Sequence, residues 1–181
     1  GIIIIIFLFI NLLTKSLNIL VFFFLIFSLG IISDTHFIKS PLARMIIQFI
    51  IFLTLIVFFD IKVANLRLEY INYLLRFDLI SYLFLTFCLL ILINGSNFID
   101  GCNTLVLGYY ILILIIVEKL NYFPLIGLSQ NFVFQLLVIL LVLYFFNLFG
   151  KLFLGDNGVY LISIVFGFYL IKIYIINQFI S

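Results

Sequence analysis

Charged side chains are scarce in this chain, and their scarcity excludes a soluble fold. They make up 9% of the 181 residues, whereas 67% are hydrophobic and the mean hydropathy is +1.49. Soluble domains ordinarily contain about 25% charged residues, which cover their surface. The main solvent of this chain is therefore predicted to be lipid. The net charge of +2 is also too small to indicate a nucleic-acid partner.

Cysteine and histidine are equally rare. The two cysteines, Cys88 and Cys102, lie in or beside apolar segments and provide neither a disulfide framework nor a metal cluster. We expect both to pack as small apolar side chains. The only histidine, His36, leaves no set of ligands for zinc.

Linker sequences are missing as well. No Pro/Ser-rich stretch, charge block or repeat divides the chain, so residues 1–181 are predicted to form a single membrane domain. The sequence opens on Gly1 and an isoleucine run, and it stops two residues beyond an apolar segment. We therefore expect it to be the central part of a longer protein.

Apolar segments are what the chain has in abundance. About 20 apolar residues span the hydrocarbon core of a bilayer, and about 17 is the usual minimum. Backbone in lipid must satisfy its own hydrogen bonds, and no alternating barrel pattern is visible. We therefore predict an all-α fold, a polytopic transmembrane helical bundle with about seven membrane segments. These are 1–13, 17–32, 43–59, 79–93, 104–117, 131–149 and 158–176.

Three short polar segments stand at the ends of these apolar stretches. The first is 33–36, the second 94–101 and the third 155–158. Each contains one aspartate, and an ionisable group at such a depth usually marks a functional site. Two crossings separate the first segment from the second, and two more separate the second from the third. All three are therefore predicted to lie on one side of the membrane.

Basic residues do not favour a cytoplasmic position for that side. Under the positive-inside rule, the side with more lysine and arginine is the cytoplasmic one. The side of the polar segments has three basic residues and the other side has five. These are Lys39, Arg44 and Lys151 against Lys15, Lys62, Arg67, Arg76 and Lys119.

The side chains of the polar segments form an all-oxygen set. Hard cations such as Mg²⁺ prefer carboxylate and amide oxygens and leave room for phosphate. Glycines let a backbone approach an anionic ligand, and helix N-termini offer free N–H groups to phosphate. The set therefore fits a magnesium-dependent phosphoryl-transfer site at the lipid interface. It comprises Asp34, Asp100, Asp156, Asn94, Asn97 and Asn103, with Gly95, Gly101, Gly155 and Gly158 beside them.

A simpler interpretation exists for each aspartate separately. A single Asp at the end of a transmembrane helix is more often a solvated boundary charge, and polar loops readily collect Gly, Asn and Asp. Three such groups on one side favour a shared site over coincidence.

The motifs resemble those of a known family. NGSNFIDGCNTL (94–105) is similar to the N-x-x-N-x-x-D-G signature of the polyprenyl-phosphate N-acetylhexosamine-1-phosphate transferases of glycosyltransferase family 4, a group that includes the WecA-, TagO- and MraY-like enzymes. NLFGKLFLGDNGVYLIS (147–163) resembles the F-x-G-D-x-G segment of the family. GIISDTHFIKSPLARMIIQ (30–48) is similar to the segment that carries its paired aspartates.

The resemblance implies a multi-pass enzyme of the bacterial inner membrane with its active face in the cytoplasm. Such an enzyme transfers a sugar-1-phosphate from a UDP-sugar to undecaprenyl phosphate, a polyprenyl phosphate of the lipid bilayer. The product starts a lipid-linked surface glycan such as lipopolysaccharide O-antigen. Magnesium is the expected cofactor, with manganese as an alternative, and a homodimer is one option for the assembly.

The resemblance also implies roles for individual residues. Asp156 and Asn97 would hold the metal ion. Asp34 would orient or deprotonate the acceptor phosphate, and Asp100 is the second catalytic candidate. The other positions would shape the substrate site, with Asn103 where the family contacts uracil. These are Asn94, Asn103, Gly155 and Gly158.

One departure concerns the first motif. Ser33 stands where the family has the first of its two aspartates. The family arrangement that activates the acceptor is therefore altered in this chain. The later family loop that bears histidine or arginine has no counterpart within these 181 residues.

Other functions remain open from the residues alone. Within the family, an MraY-like phospho-MurNAc-pentapeptide transferase is the runner-up. A cation-coupled transporter would also use membrane carboxylates, but transporters place them near the bilayer midplane in broken helices. A non-catalytic scaffold would explain the hydrophobicity and leave the polar segments without a role.

Overall fold

A computed structural model describes residues 1–12, 17–63, 65–122 and 127–180, and helices are the regular elements of these ranges. The positions of Lys15 and Pro124, which the sequence predicts to lie in polar breaks, fall outside the described residues. The helices are α1 (Ile2–Leu12), α2 (Leu17–Asp34), α3 (Pro41–Phe58), α4 (Glu69–Leu75), α5 (Asp78–Ile99), α6 (Leu105–Lys119), α7 (Gln130–Leu148) and α8 (Gly155–Ile180).

Five of the helices, α2, α3, α5, α7 and α8, are long and apolar enough to cross a membrane. The all-α, polytopic class predicted from sequence is confirmed, and the chain is a multi-pass membrane protein. The predicted number of about seven segments is an approximation. The segments 1–13 and 104–117 correspond to the shorter helices α1 and α6, of 11 and 15 residues.

Local sequence signals explain where two of the helices begin. Pro41 opens α3, and the Ser40 side chain accepts a hydrogen bond from the backbone N–H of Ala43 at 3.3 Å. Ser129 caps α7 in the same way through the N–H of Phe132, also at 3.3 Å. The N-cap serine satisfies an N–H group that has no partner inside the helix.

The polar segments are more helical than their composition suggests. The second segment continues α5 as far as Ile99, with Asp100 as the C-cap, and the third forms the first turn of α8. Beside lipid, a helix satisfies backbone polar groups that a loop would leave without partners. Asn and Gly are therefore kept in the helix here despite their preference for turns.

Helix α8 is the central helix of the bundle. Buried residues make up 67% of its membrane window, against 22% to 44% for the other four candidate spans. It packs chiefly against α2 and α5, and also contacts α1 and α6. An edge-to-face pair between Phe23 of α2 and Phe168 of α8, with ring centroids 6.2 Å apart, belongs to this core. The first turn of α8 therefore lies beside the ends of α2 and α5.

The opposite end of the bundle has its own charged cluster. Lys62 pairs with Asp60 at 3.0 Å and with Asp78 at 2.8 Å. Its ammonium group also stands 5.6 Å from the centre of the Tyr82 ring. These groups are exposed, so the ion pairs contribute little to stability. Lys62 offsets part of the negative charge of the two carboxylates, at the end of the bundle farthest from the aspartates of α2 and α8.

Candidate active site

The three polar segments, distant in sequence, meet at one end of the bundle. Asp34 ends α2, Asp100 follows α5, and Asp156 lies in the first turn of α8. Hydrogen bonds join Asp34 to α8, and the charge of Asp100 interacts with those of Asp34 and Asp156. The fold thus brings together the three segments that the count of crossings predicts to share a side, and their role as a functional site stays a prediction.

Asp34 caps the N-terminus of α8 from another helix. Its Oδ1 accepts the backbone N–H of Asp156 at 2.8 Å, and its Oδ2 accepts the N–H of Asn157 at 3.2 Å. The side-chain amide of Asn157 also donates to Oδ2. A carboxylate there satisfies free N–H groups and interacts favourably with the positive end of the helix dipole.

Glycines allow these elements to approach so closely. Gly155 has φ +64°, and a Cβ at this position would lie 3.0 Å from a carboxylate oxygen of Asp34. A Cβ on Gly30 of α2 would lie 2.3 Å from the Cα of Asn157, which no real contact permits. Gly158 is buried in the same turn. Gly155 and Gly158, predicted to bind substrate, therefore also have a packing role at the start of α8.

Asp156 has partners on two other helices. Arg44 of α3 forms an ion pair with its Oδ2 at 3.0 Å, and the hydroxyl of Ser33 donates to the same oxygen. The Arg44 guanidinium also donates to Ser33. Both charged side chains are about one quarter exposed. The sequence analysis counted Arg44 only among the basic residues on the side of the polar segments, and the fold brings it into contact with Asp156.

Gln48 lies one turn beyond Arg44 on the same face of α3. It is fully buried, and its side-chain oxygen accepts a hydrogen bond from Asn94 at 2.9 Å. The same Asn94 amide group donates to the carbonyl of Leu90 in its own helix, also at 2.9 Å. Asn94, predicted to bind substrate, thus anchors α5 to α3. The spacing of four residues between Arg44 and Gln48 was the sequence signal for this face.

Asn97 and Asn103 have free side chains. Asn97 lies one turn beyond Asn94 on α5 and is half-buried, whereas Asn103 is exposed in the turn after Asp100. No hydrogen bond between described residues uses either side-chain amide. Both amides are therefore available to a ligand.

The surroundings of Asp100 disfavour its ionised form. Partial burial, followed by repulsion from the carboxylates of Asp156 and Asp34, raises the pKa of Asp100 to about 6. Negative charge is thus concentrated at this end of the bundle. A cation bound there would relieve the repulsion.

Asn147 is a residue that the motifs did not single out. It lies in the last turn of α7 and is 3% exposed. Its side-chain oxygen accepts the backbone N–H of Thr104, and its amide donates to the carbonyl of Leu152 at 2.7 Å. The only sequence signal was its place at the start of the third motif. No nearby residue indicated that its side chain would form hydrogen bonds with the turn after α5.

The site has oxygen ligands that suit a hard cation. Within the described ranges, no group of three or more His, Cys, Asp and Glu side chains is placed to hold a metal ion. Ligands must therefore include amides or substrate oxygens. Ser33, Arg44 and Tyr160 all contact Oδ2 of Asp156, so its Oδ1 is free among the described contacts, as is the Asn97 amide. Carboxylate, amide and phosphate oxygens together fit the preferences of Mg²⁺.

The structure agrees with the predicted packing role for Cys88 and contradicts it for Cys102. Cys88 is half-buried, as expected for a packing residue, whereas Cys102 is exposed in the turn after α5, which is a different environment from the one predicted. The single-domain assignment for 1–181 stays a prediction.

Comparison with known proteins gives one match. Glycosyl transferase family 4 matches residues 16–174, a range that includes all three polar segments. No curated protein and no solved structure matches the chain. The family match supports a membrane glycosyl-1-phosphate transferase in general, in agreement with the resemblance of the motifs. The chain belongs to glycosyl transferase family 4.

Proposed function

We propose that the protein transfers N-acetylhexosamine-1-phosphate from a UDP-sugar to undecaprenyl phosphate and releases UMP. The product would start a lipid-linked surface glycan. The observation that carries this proposal is the convergence of Asp34, Asp100 and Asp156 at one end of an apolar bundle. A site at that depth can receive one substrate from water and the other from lipid.

The proposed reaction is a phosphoryl transfer. A phosphate oxygen of the lipid attacks the phosphorus that bears the sugar, and a new P–O bond forms there. The bond from this phosphorus to the oxygen of the UMP phosphate breaks, and UMP leaves with that oxygen. A phosphate monoester is already largely ionised near neutral pH, so no strong base is needed. Positioning and charge stabilisation supply most of the catalysis in such reactions.

In this proposal, Asp156 and Asn97 would hold Mg²⁺ or Mn²⁺. The bound ion would neutralise charge on the diphosphate oxygens. Asp156 is suited to this role because its Oδ1 is free while Ser33 and Arg44 hold Oδ2 in place. Asp100 adds negative charge that strengthens the attraction for a cation.

Arg44 provides a permanent positive charge beside the candidate metal ligand Asp156. A guanidinium group has five N–H donors, and the described contacts use only its Nη1. Its Nε is buried and has no partner among the described residues. Arg44 is therefore placed to donate to a phosphate oxygen next to Asp156.

Asp34 takes an orienting role in this proposal. Both of its oxygens already accept hydrogen bonds from the start of α8. Together with the bond from the Asn157 side chain, they use three of the about four acceptor positions of the carboxylate, which favours a structural role over base catalysis. Asp34 therefore acts through the position of Asp156, and Asn94, Asn103, Gly155 and Gly158 shape the space around it.

The proposed location is the bacterial inner membrane, with the site facing the cytoplasm where UDP-sugars are made. The count of basic residues along the chain favours the opposite orientation. A topology experiment with cysteine-directed reagents at Cys102, which is exposed beside the site, decides between them. Labelling of Cys102 only after the reagent gains access to the cytoplasm supports the proposal.

A direct transfer assay tests the function. Membranes with the full-length protein receive labelled UDP-N-acetylhexosamine and undecaprenyl phosphate, with and without Mg²⁺. At the Mg²⁺ concentration that half-activates the wild type, we expect labelled lipid to be largely lost in Asp156→Asn and to persist in Asp78→Asn, a matched carboxylate at the opposite end of the bundle. Product only with UDP-MurNAc-pentapeptide would indicate the MraY-like alternative. Cation flux without labelled lipid would indicate the transporter instead.

A further inference from the structure

The side chain of Asn147 forms hydrogen bonds to two interhelical connections at the candidate site. One is the turn 100–104 between α5 and α6, and the other is the connection 149–154 between α7 and α8. Asn147 accepts the backbone N–H of Thr104 from the first and donates to the carbonyl of Leu152 in the second, at 2.7 Å. The turn 100–104 holds Asp100 and Asn103, and the connection 149–154 leads directly into the first turn of α8, where Gly155 and Asp156 lie.

The turn that Asn147 holds has an unfavourable backbone conformation. Thr104 has φ +69°, in the left-handed region. A β-branched residue is rare there, because its side chain crowds the backbone. The surrounding contacts must therefore keep the turn in place. The hydrogen bond from the Thr104 N–H to Asn147 is such a contact.

Burial separates Asn147 from any direct part in the chemistry. Its residue is 3% exposed, and both ends of its amide are engaged. Asparagine is costly to bury among apolar side chains unless its hydrogen bonds are made. Here those bonds lead to the backbone of the two connections, so this one side chain links them directly.

We propose that Asn147 is a positioning residue that keeps the turn 100–104 in register with the start of α8. It thereby sets the separation of Asp100 and Asn103 from Asp156. This inference rests on the proposed transferase function for its catalytic consequence. The structural claim, that Asn147 stabilises the strained turn 100–104, depends only on the observed hydrogen bonds and backbone conformation.

The test compares Asn147→Leu with the double variant Asn147→Leu/Thr104→Gly. Leucine has a similar size but makes neither hydrogen bond. Glycine adopts positive φ freely, so it removes the strain that Asn147 opposes. Asn11→Leu is the matched control, since the Asn11 amide donates only to Phe7 within α1, at 3.0 Å. Three quantities are measured: the hydrogen-exchange rate of the residue 104 amide, and kcat and KM in the transfer assay.

We expect Asn147→Leu to raise the exchange rate at residue 104 at least tenfold. Its kcat should fall at least tenfold, with KM for the UDP-sugar changed less than threefold. The double variant should recover most of the lost kcat, and Asn11→Leu should behave like the wild type. If Asn147→Leu does not fold, Asn147→Ser takes its place with the same expected directions.

Two results would overturn the proposal. Unchanged exchange at residue 104 in Asn147→Leu would show that the side chain does not hold the turn. A double variant as inactive as Asn147→Leu would show that Asn147 acts in another way, for example by direct contact with substrate. A wild-type protein that makes no labelled lipid would refute the proposed function, while the exchange measurement would still decide whether Asn147 holds the turn.

Discussion

The carboxylate of Asp34 accepts the backbone N–H of Asp156 at 2.8 Å, so the end of α2 caps the start of α8. The residue that the motifs suggest for chemistry thus holds the residue that they suggest for metal binding. Asp156 also pairs with Arg44 of α3. Three helices therefore determine where its free oxygen lies.

The first prediction separates capping from base catalysis at Asp34. Asp34→Asn keeps a side-chain oxygen that can accept the Asp156 N–H, whereas Asp34→Ala removes it. We expect the Asn variant to retain at least a tenth of the wild-type kcat and the Ala variant to lose considerably more. Loss of the cap should also destabilise the Ala variant by about 1 kcal/mol. Equal inactivity of both variants, with unchanged thermal stability, would instead indicate a base.

The second prediction concerns the metal ligand. Asp156→Asn can still accept hydrogen bonds from Ser33 and Arg44, but it lacks the negative charge that attracts a cation. We expect Mg²⁺ to activate the variant at concentrations at least about tenfold higher than for the wild type. Activity is titrated against Mg²⁺ for both proteins. An unchanged midpoint would remove Asp156 from the metal site.

The third prediction follows from the pKa of Asp100, which is raised to about 6. A raised pKa means that the folded protein binds more protons than the unfolded one between the ordinary carboxyl value and about pH 6. Stability should therefore decrease as the pH rises through this window. Asp100→Asn should abolish the decrease and be more heat-stable than the wild type at pH 7.5. Unfolding temperatures at pH 5 and pH 7.5, without divalent cations, provide the measurement.

Mg²⁺ serves as the control for that experiment. A cation near Asp100 favours the ionised carboxylate, so saturating Mg²⁺ should reduce the difference between the two proteins at pH 7.5. If Asp100→Asn and the wild type show the same pH dependence, the pKa of Asp100 is not raised in the folded protein.

The fourth prediction addresses Ser33, which replaces a family aspartate. Its hydroxyl donates to Asp156 and accepts from Arg44. In Ser33→Asp, a second carboxylate would stand against Asp156, and like charges at this separation repel. We expect a lower unfolding temperature without divalent cations, and its recovery when Mg²⁺ is added. Ser33→Ala, which adds no charge, should not depend on Mg²⁺ in this way. A similar response in both variants would contradict the prediction.

The helices were the most predictable part of the fold. Runs of Ile, Leu and Phe identify a membrane helix from its own sequence, without knowledge of the helices that pack against it. This is possible because each helix is separately compatible with lipid. Ser40 and Pro41 predicted the start of α3 from local chemistry. The ends of the polar segments were less predictable. Asn94 and Gly95 suggest a turn in water, whereas the fold keeps both in α5, with Asn94 bonded to Gln48.

Some features of the candidate site could likewise be predicted from the sequence, and others could not. The order of apolar segments along the chain predicted that the three aspartates share one side of the membrane, and the motifs indicated the family that the comparison then showed. Only the tertiary structure decided that Arg44 pairs with Asp156 and that Asn147 joins Thr104 to Leu152. Hydropathy is a property of each segment alone. These contacts depend on which faces of helices far apart in sequence pack against one another. A local sequence pattern does not specify that packing.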